Sequence, residues 1–348
     1  MNKPTRKIQF GLVSALAAAA LLISGCTSSD SPTEAATPTS PTAEPRLEPY
    51  EAARAGAAWL NDQVVENSFI PGPVEARDVG LTINALFAFA AAMEYGLANP
   101  VAAWVSDQTV LDSYASDAPS MTYPGRIALA GLAISLEEVQ YPADIGAKRE
   151  QLVERLLARL QDDGRFTDDS DYDDTSSPIS QSLAILFLLK ADALDDLEAD
   201  PVDFLVSTAC EDGSFPIMLD SPAGCAGAVD STAYAMLALQ MFPDQADTLD
   251  KATEWLVEQQ NDKGQWEGWE GPSVDSTALG LLALQDQSSG PGNLAVAASW
   301  TALAEWQFAS GAWPIDDKNP EGDIRATASG TQATATASLL VLLGFKER

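Results

Sequence analysis

The chain has no histidine among its 348 residues. That absence removes Ser-His-Asp and Cys-His catalysis, and it makes the cysteines a poor zinc shell. Basic residues are scarce as well: 19 Lys and Arg stand against 51 Asp and Glu, a net charge of −32. A surface of that sign repels nucleic acid and anionic lipid head groups, so neither is an expected partner. Long apolar runs are also missing. The one at 10–23 is too short to serve as a permanent membrane-spanning helix.

That short run has the flanks of a targeting segment. Lys3, Arg6 and Lys7 precede it and Ile23-Ser24-Gly25-Cys26 follows it. The tetrapeptide resembles the lipobox of bacterial lipoproteins. The resemblance implies that 1–25 are a signal peptide and that Cys26 is lipidated and becomes the new N-terminus. The mature chain is then held on the extracytoplasmic face of the cell membrane, which it meets through the anchor only. With 16 basic residues left against 51 acidic, its charge is −35. Residues 26–49, rich in Ser, Thr, Pro, Ala and Glu, form a disordered spacer. Cys210 and Cys225 are fifteen residues apart around a turn, a spacing that favours a disulfide in an oxidising compartment.

Residues 50–348 repeat. Gly164-Arg165-Phe166, Gly213-Ser214-Phe215, Gly264-Gln265-Trp266 and Gly311-Ala312-Trp313 recur 49, 51 and 47 residues apart, which implies one supersecondary unit per repeat. Leu156, Leu205, Leu256 and Leu303 keep a common register upstream of these glycines. Two earlier units lie around Trp59 and Trp104. In each unit an amphipathic helix precedes one that is apolar nearly all round and must be buried. Six outer helices around six inner ones describe an all-α fold, an α/α toroid of six hairpins and about twelve helices. Gln260 and Gln307 precede two of the turns, but Leu160 and Ala209 replace them in two others, so the glutamine reads as optional.

Lys251, Ala252, Trp255, Leu256, Gln260, Gly264 and Trp266 match every position of the QW motif of squalene and oxidosqualene cyclases. The chain from about Tyr50 onward resembles the cyclase and prenyltransferase toroid. In that family the motif is structural, with Trp packed against the next hairpin. The family's acid lies in an Asp-x-Asp-Asp-Thr-Ala motif. Ser273-Val274-Asp275-Ser276-Thr277-Ala278 fits its frame with Asp275 in the acid's place, and Ala228-Val229-Asp230-Ser231-Thr232-Ala233 is a second copy. Both lack the flanking carboxylates, so each Asp is expected to stay ionised and to be a poor acid. Asp171-Tyr172-Asp173-Asp174-Thr175 reproduces the literal string inside an acidic insert, 162–177. Asp275 and Asp173 are therefore the catalytic candidates should the chain be an enzyme. Asp169, Asp171 and Asp173 alternate as in a calcium loop, but the glycine and glutamate such a loop needs are missing. The prenyltransferase zinc site cannot be complete without histidine, and neither a metal nor a cofactor is expected. Residues 273–284 are also similar to the signature of eukaryotic cobalamin carriers, which share the toroid.

Function should sit where the N-termini of the inner helices meet. Asp230 and Asp275, with Asp78, Ser177 and Thr331 near other helix starts, read singly as N-caps. Together they would make an acidic rim. Phe215, Tyr234, Trp266, Trp269 and Trp313 are candidates to line a mouth beside Asp230 and Asp275, with Trp269 and Tyr234 outside the repeat's structural slot. The reading is a tethered, non-catalytic protein that binds a large apolar or cobalamin-like small molecule, or docks a capping or transporter protein. A diverged terpenoid cyclase or prenyl-group enzyme is the alternative, and a structural surface scaffold the third.

Overall fold

The computed structural model describes residues 48–347 apart from 67, 73–76, 117–120, 172–173, 196, 221–224, 286–291 and 320. The signal peptide, Cys26, most of the spacer and Asp173 lie outside the described residues. Those described form fourteen α-helices and isolated bridges, with no strand. They are α1 Pro49–Gln63, α2 Val79–Ala91, α3 Tyr95–Val105, α4 Gln108–Ala115, α5 Pro124–Ala133, α6 Ile145–Leu157, α7 Pro178–Lys190, α8 Pro201–Ser207, α9 Val229–Leu239, α10 Ala246–Glu258, α11 Val274–Leu284, α12 Gly292–Trp306, α13 Ile324–Thr334 and α14 Leu339–Leu342. The count exceeds twelve for two reasons. Asp107 caps a fresh start and divides the second outer element into α3 and α4, and α14 follows the last hairpin. No described helix is long and apolar enough to cross a membrane.

The inner helices α2, α5, α7, α9, α11 and α13 pack in that order, and α13 returns to α2. The ring is closed, as the sequence implies. Burial follows the composition: α7 hides Gln181 to Leu188 without interruption, whereas outer α10 hides only Ala252 and Leu256.

The turn glycines show how successive units engage. Gly264 has φ +79°, and a Cβ there would stand 2.4 Å from the backbone of Ala298 in the next outer helix. Only glycine tolerates both the dihedral and the approach. Gly311 has φ +92° and meets Ala55 O of α1 in the same way, at 2.2 Å from its absent Cβ. The last unit therefore grips the first with the contact that joins the others. At the same joint, a Cβ on Gly56 would strike Thr331 Oγ1 and Trp313.

The glutamine ties its own turn to the next outer helix. Gln260 Nε2 donates to Gly264 O (3.3 Å) and Ala295 O (2.9 Å), and Gln307 Nε2 to Gly311 O (3.0 Å) and Ala52 O (2.9 Å). Where Leu160 stands instead, Gln181 of α7 supplies the same bonds, to Gly164 O (2.8 Å) and Pro201 O (3.0 Å). Where Ala209 stands, the disulfide Cys210–Cys225 closes the turn, with Cα atoms 5.5 Å apart.

At the C-terminal ends of the inner helices the chain's last residues form a floor. Leu339–Leu342 are buried and α14 packs on α2. Glu137 N–H donates to Leu342 O (2.9 Å), Lys190 Nζ to Leu343 O (2.8 Å), and Lys346 Nζ to Gln240 Oε1. Among the described residues the helix that follows α13 is the apolar α14, which covers this end of the ring.

Candidate functional site

Five of the six inner helices repeat a buried polar position that organises their start. The amide N–H of Trp266 donates to Thr277 Oγ1 (3.1 Å), that of Phe215 to Thr232 Oγ1 (3.0 Å), and that of Trp313 to Thr327 Oγ1 (3.0 Å). Ile70 N–H meets Thr82 Oγ1 (3.0 Å), and Phe166 N–H meets Gln181 Oε1 (3.0 Å). These residues face the wall of the ring. A residue two places earlier on a helix is turned about 200° away, toward the axis.

Counting back two from each wall residue gives Gly80, Ile179, Asp230, Asp275 and Arg325. On α5 the wall residue is Ala128, set by Gly131 in the register of Gly280 and Gly330, and the count reaches Arg126. The axial layer, in ring order, is therefore Gly80, Arg126, Ile179, Asp230, Asp275 and Arg325. The open place at Gly80 is covered by Tyr114 of α4, whose hydroxyl would lie 3.6 Å from a Cβ there. One turn deeper stand Tyr234, Leu279 and Ser329, each still partly exposed on a helix whose other faces are buried.

Asp230 and Asp275 occupy the second position of α9 and α11, and neither is the N-cap. Ser273 caps α11 by accepting from Ser276 N–H, and α9 begins at Ala228 without a side-chain cap. The capping expectation holds at Asp78 and Ser177. It fails at Asp230 and Asp275, and at Thr331, which lies within α13 with an unpartnered hydroxyl. Oδ1 of Asp230 and Oδ1 of Asp275 are both buried without a hydrogen-bond partner. A serine stands near each carboxyl and favours its charged form, Ser276 for Asp230 and Ser329 for Asp275.

Burial raises the pKa of Asp230, against the pull of Ser276. Asp275 is pushed up to about 6, again mainly by burial. Ser329 and Arg325 act downward on it, while Asp323 and Asp230 add to the rise. At about 6 Asp275 remains mostly ionised at neutral pH, as expected from its sequence, but it is a far weaker acid than an exposed Asp. The carboxylates that add to burial are Asp323 and, less, Asp230, both supplied by adjacent elements rather than by the flanking sequence. Tyr234 is raised to about 12 by burial and then by Asp230, Asp275 and Tyr114. Tyr114 is raised to about 12 by burial, with Asp78 adding and Arg126 and Arg325 opposing. Side chains from different sides of the ring thus act on one another across the axis.

The other candidates separate. Trp266, Trp313 and Phe215 are wholly buried, so they do not line a mouth. Trp266 Nε1 donates to Leu256 O (2.7 Å) and its ring lies on Gly280 of its own hairpin. Trp313 repeats this with Leu303 O (2.8 Å) and Gly330. Trp269 is 88% exposed on the loop before α11. Tyr234 lies in the axis with the aspartates. Asp173 cannot be placed, but its insert is tied down by arginines: Arg165 to Asp174 (2.7 Å) and Asp220 (2.5 Å), and Arg159 to Asp169 (2.7 Å). Among the described residues no group of three or more acidic or cysteine side chains is placed to hold a metal ion. Arg126, Tyr114, Arg325 and Ser329 were missed by sequence reasoning. Arg325 was within reach of it, since Thr327 aligns with Thr277 and Thr232 and puts Arg325 opposite the two aspartates.

No known family pattern matches the sequence, and no curated protein matches it. Solved structures do match in shape. A type II terpene cyclase, MstE from Scytonema, superposes with a TM-score of 0.58 at 16% identity, covering 83% of this chain and 97% of its own. Its R337A variant with geranylgeranyl dihydroxybenzoate bound gives 0.60 at 15% over 83% and 97%. A D-mannose isomerase gives 0.59 at 11% over 85% and 99%. At such identities the likeness is one of fold, an α/α toroid.

Proposed function

We propose that this chain is a membrane-tethered binding toroid that takes a small molecule into its axis at the inner-helix N-termini. The observation that carries the reading is the pair Asp230 and Asp275, each with a buried oxygen that meets no donor from the protein. An unmet buried acceptor costs about 1–3 kcal/mol, and more if charged, and this chain holds two on adjacent helices where neither caps anything. A ligand that donates to them would recover that cost. Tyr234 and Leu279 offer apolar surface beside the carboxyls for the body of the ligand. Trp269, exposed on a mouth loop, is the place for a large apolar or cobalamin-like molecule, or a capping or transporter protein, to rest. The lipobox at Cys26 would hold the protein outside the membrane.

The experiment is to purify the tethered protein, identify what leaves it on denaturation by mass spectrometry, and repeat with Asp230→Asn/Asp275→Asn. Loss of the co-purifying molecule in a folded double variant supports the reading. Its unchanged recovery rejects the axis as the site. Release of Cys26→Ser protein from membranes, with its thermal transition unchanged, checks the tether.

A second reading rests on Asp275, whose raised pKa makes it a proton donor near pH 6. Type II terpene cyclases share the fold, and one of them binds geranylgeranyl dihydroxybenzoate as its substrate. Acid-started cyclisation would need an apolar chamber, whereas Arg126, Arg325 and Ser329 stand in or next to the axial layer here. That polarity ranks binding first. Conversion of a prenylated aromatic or squalene by the purified protein, abolished by Asp275→Asn, would reverse the order.

A further inference from the structure

The axial layer sets two carboxylates, Asp230 and Asp275, against two arginines, Arg126 and Arg325, yet each carboxylate keeps a buried oxygen that no protein group meets. Asp275 stays raised although Arg325 pulls it down, because burial outweighs that arginine and Asp230 and Asp323 oppose it. Arg325 is itself exposed, and Arg126 lies over the ring of Tyr123 at 4.6 Å. The approach to the layer has the same sign. The loops leading into α9, α11 and α13, residues 208–228, 259–273 and 307–323, carry ten carboxylates against two lysines. Two tyrosine rings, Tyr114 and Tyr234, border the aspartates, and Trp269 stands open to solvent on the loop before α11. Aromatic faces of this kind attract cations.

We propose that the ligand of the axis is an organic cation, an ammonium group on an apolar body, whose N–H donors are received by Asp230 and Asp275. This rests on the binding reading above and names its ligand class. A neutral molecule of the same shape would strip water from two carboxyls without supplying charge, and an anion would add repulsion. An ammonium brings three donors and a positive charge in one group. The acidic loops raise its local concentration at the mouth, an effect that salt screens, whereas the buried pair is screened far less.

Protons and the cation compete for the same carboxyls. The charged and titratable groups around the pair are Asp78, Asp323, Arg126, Arg325, Tyr114 and Tyr234, and the two tyrosines stay protonated throughout the neutral range. Near pH 6 Asp275 is about half protonated, so a bound ammonium expels a proton there and not at pH 8.

The test uses the full chain carrying Cys26→Ser and three probes of one shape: n-octylamine, n-octanol and octanoate, measured by titration calorimetry in 0.15 M salt at pH 6 and pH 8. Octylammonium is expected to bind at least tenfold tighter than octanol, with octanoate weakest. Proton release should appear at pH 6 in buffers of different ionisation enthalpy. The preference should vanish in Asp230→Asn/Asp275→Asn and persist in Asp262→Asn/Asp317→Asn, which alters only the exposed loops. Equal binding of octanol and octylammonium overturns the cation and leaves the binding reading standing. Failure of all three to bind a protein with an unchanged thermal transition overturns both. Preference for octylammonium that survives the axial double variant assigns the effect to the outer surface and also overturns the proposal.

Discussion

Two columns of side chains run around this ring, two residues apart on the same helices, and they are treated in opposite ways. In the wall column Thr82, Gln181, Thr232, Thr277 and Thr327 are buried and each receives a turn amide at about 3 Å. In the axial column Asp230 and Asp275 are half-buried, yet each keeps a buried oxygen that nothing in the protein meets. A fold that satisfies its polar groups so regularly on one side has the means to do so on the other. The difference sets the wall, where the turn amides find acceptors, apart from the axis, where two acceptors are left open, although Thr331 one turn below Thr327 also lacks a partner. The contrast is not one of whole ends, since Gln285 on the floor side also has an unpartnered amide, beside residues that are not described.

The comparison breaks first at the wall. Trp313→Ala removes a fully buried indole, its bond to Leu303 O and its contact with Gly330, and should cost about 3–5 kcal/mol in denaturant unfolding. A loss under 1 kcal/mol would show that the joint between the last and first units is not closed by this ring. Next, Cys210→Ser/Cys225→Ser opens the one turn that has no glutamine, and should cost about 3 kcal/mol for a loop of this length. If the unfolding midpoint does not move, the disulfide is not what replaces the glutamine.

The axis should answer with the opposite sign. A carboxyl raised from its ordinary value to about 6 favours the fold when protonated. Its contribution is fullest below pH 4 and is lost as pH rises through 6, leaving a deficit of about 2–3 kcal/mol at pH 7. Asp275→Asn should therefore stabilise the protein at pH 7 by up to that amount and change little at pH 4. Destabilisation at pH 7 would mean that the ionised form is compensated after all. The smallest effect is at Thr277. Changed to Val, it leaves the buried Trp266 N–H without an acceptor and should cost about 1–2 kcal/mol, measured against Thr253→Val, whose hydroxyl serves only its own helix.

Much of the fold could be read from the chain because it is written in repeats. Gly164, Gly213, Gly264 and Gly311 have side-chain-free positions for one reason, contact with the next outer helix, and a requirement imposed at a constant interval shows as a period. Gln181 was legible only as one more residue of an inner helix. Its exchange of roles with the absent glutamine at 160 depends on a packing neighbour far along the chain. The same limit applied at the site. Asp275 was singled out by its motif, but its environment was judged from Ser273 and Ser276 beside it in sequence, while what raises it is burial in the ring, helped by Asp323 before α13 and Asp230 on α9. Trp266 and Trp313 looked available to a ligand for a similar reason, since composition does not tell which side of a turn faces the core.

By itself the sequence determined the period, the glycines at its turns, the sign of the charge and the absence of histidine chemistry, because each is a local or additive property of the residues. Only the tertiary structure decided which residues share the axis, that Arg126 and Arg325 join Asp230 and Asp275 in one layer, and that Asp275 is held near pH 6. These follow from which helices lie side by side in a closed ring and how much water remains between them, and a pKa depends on that surrounding field rather than on the order of the chain.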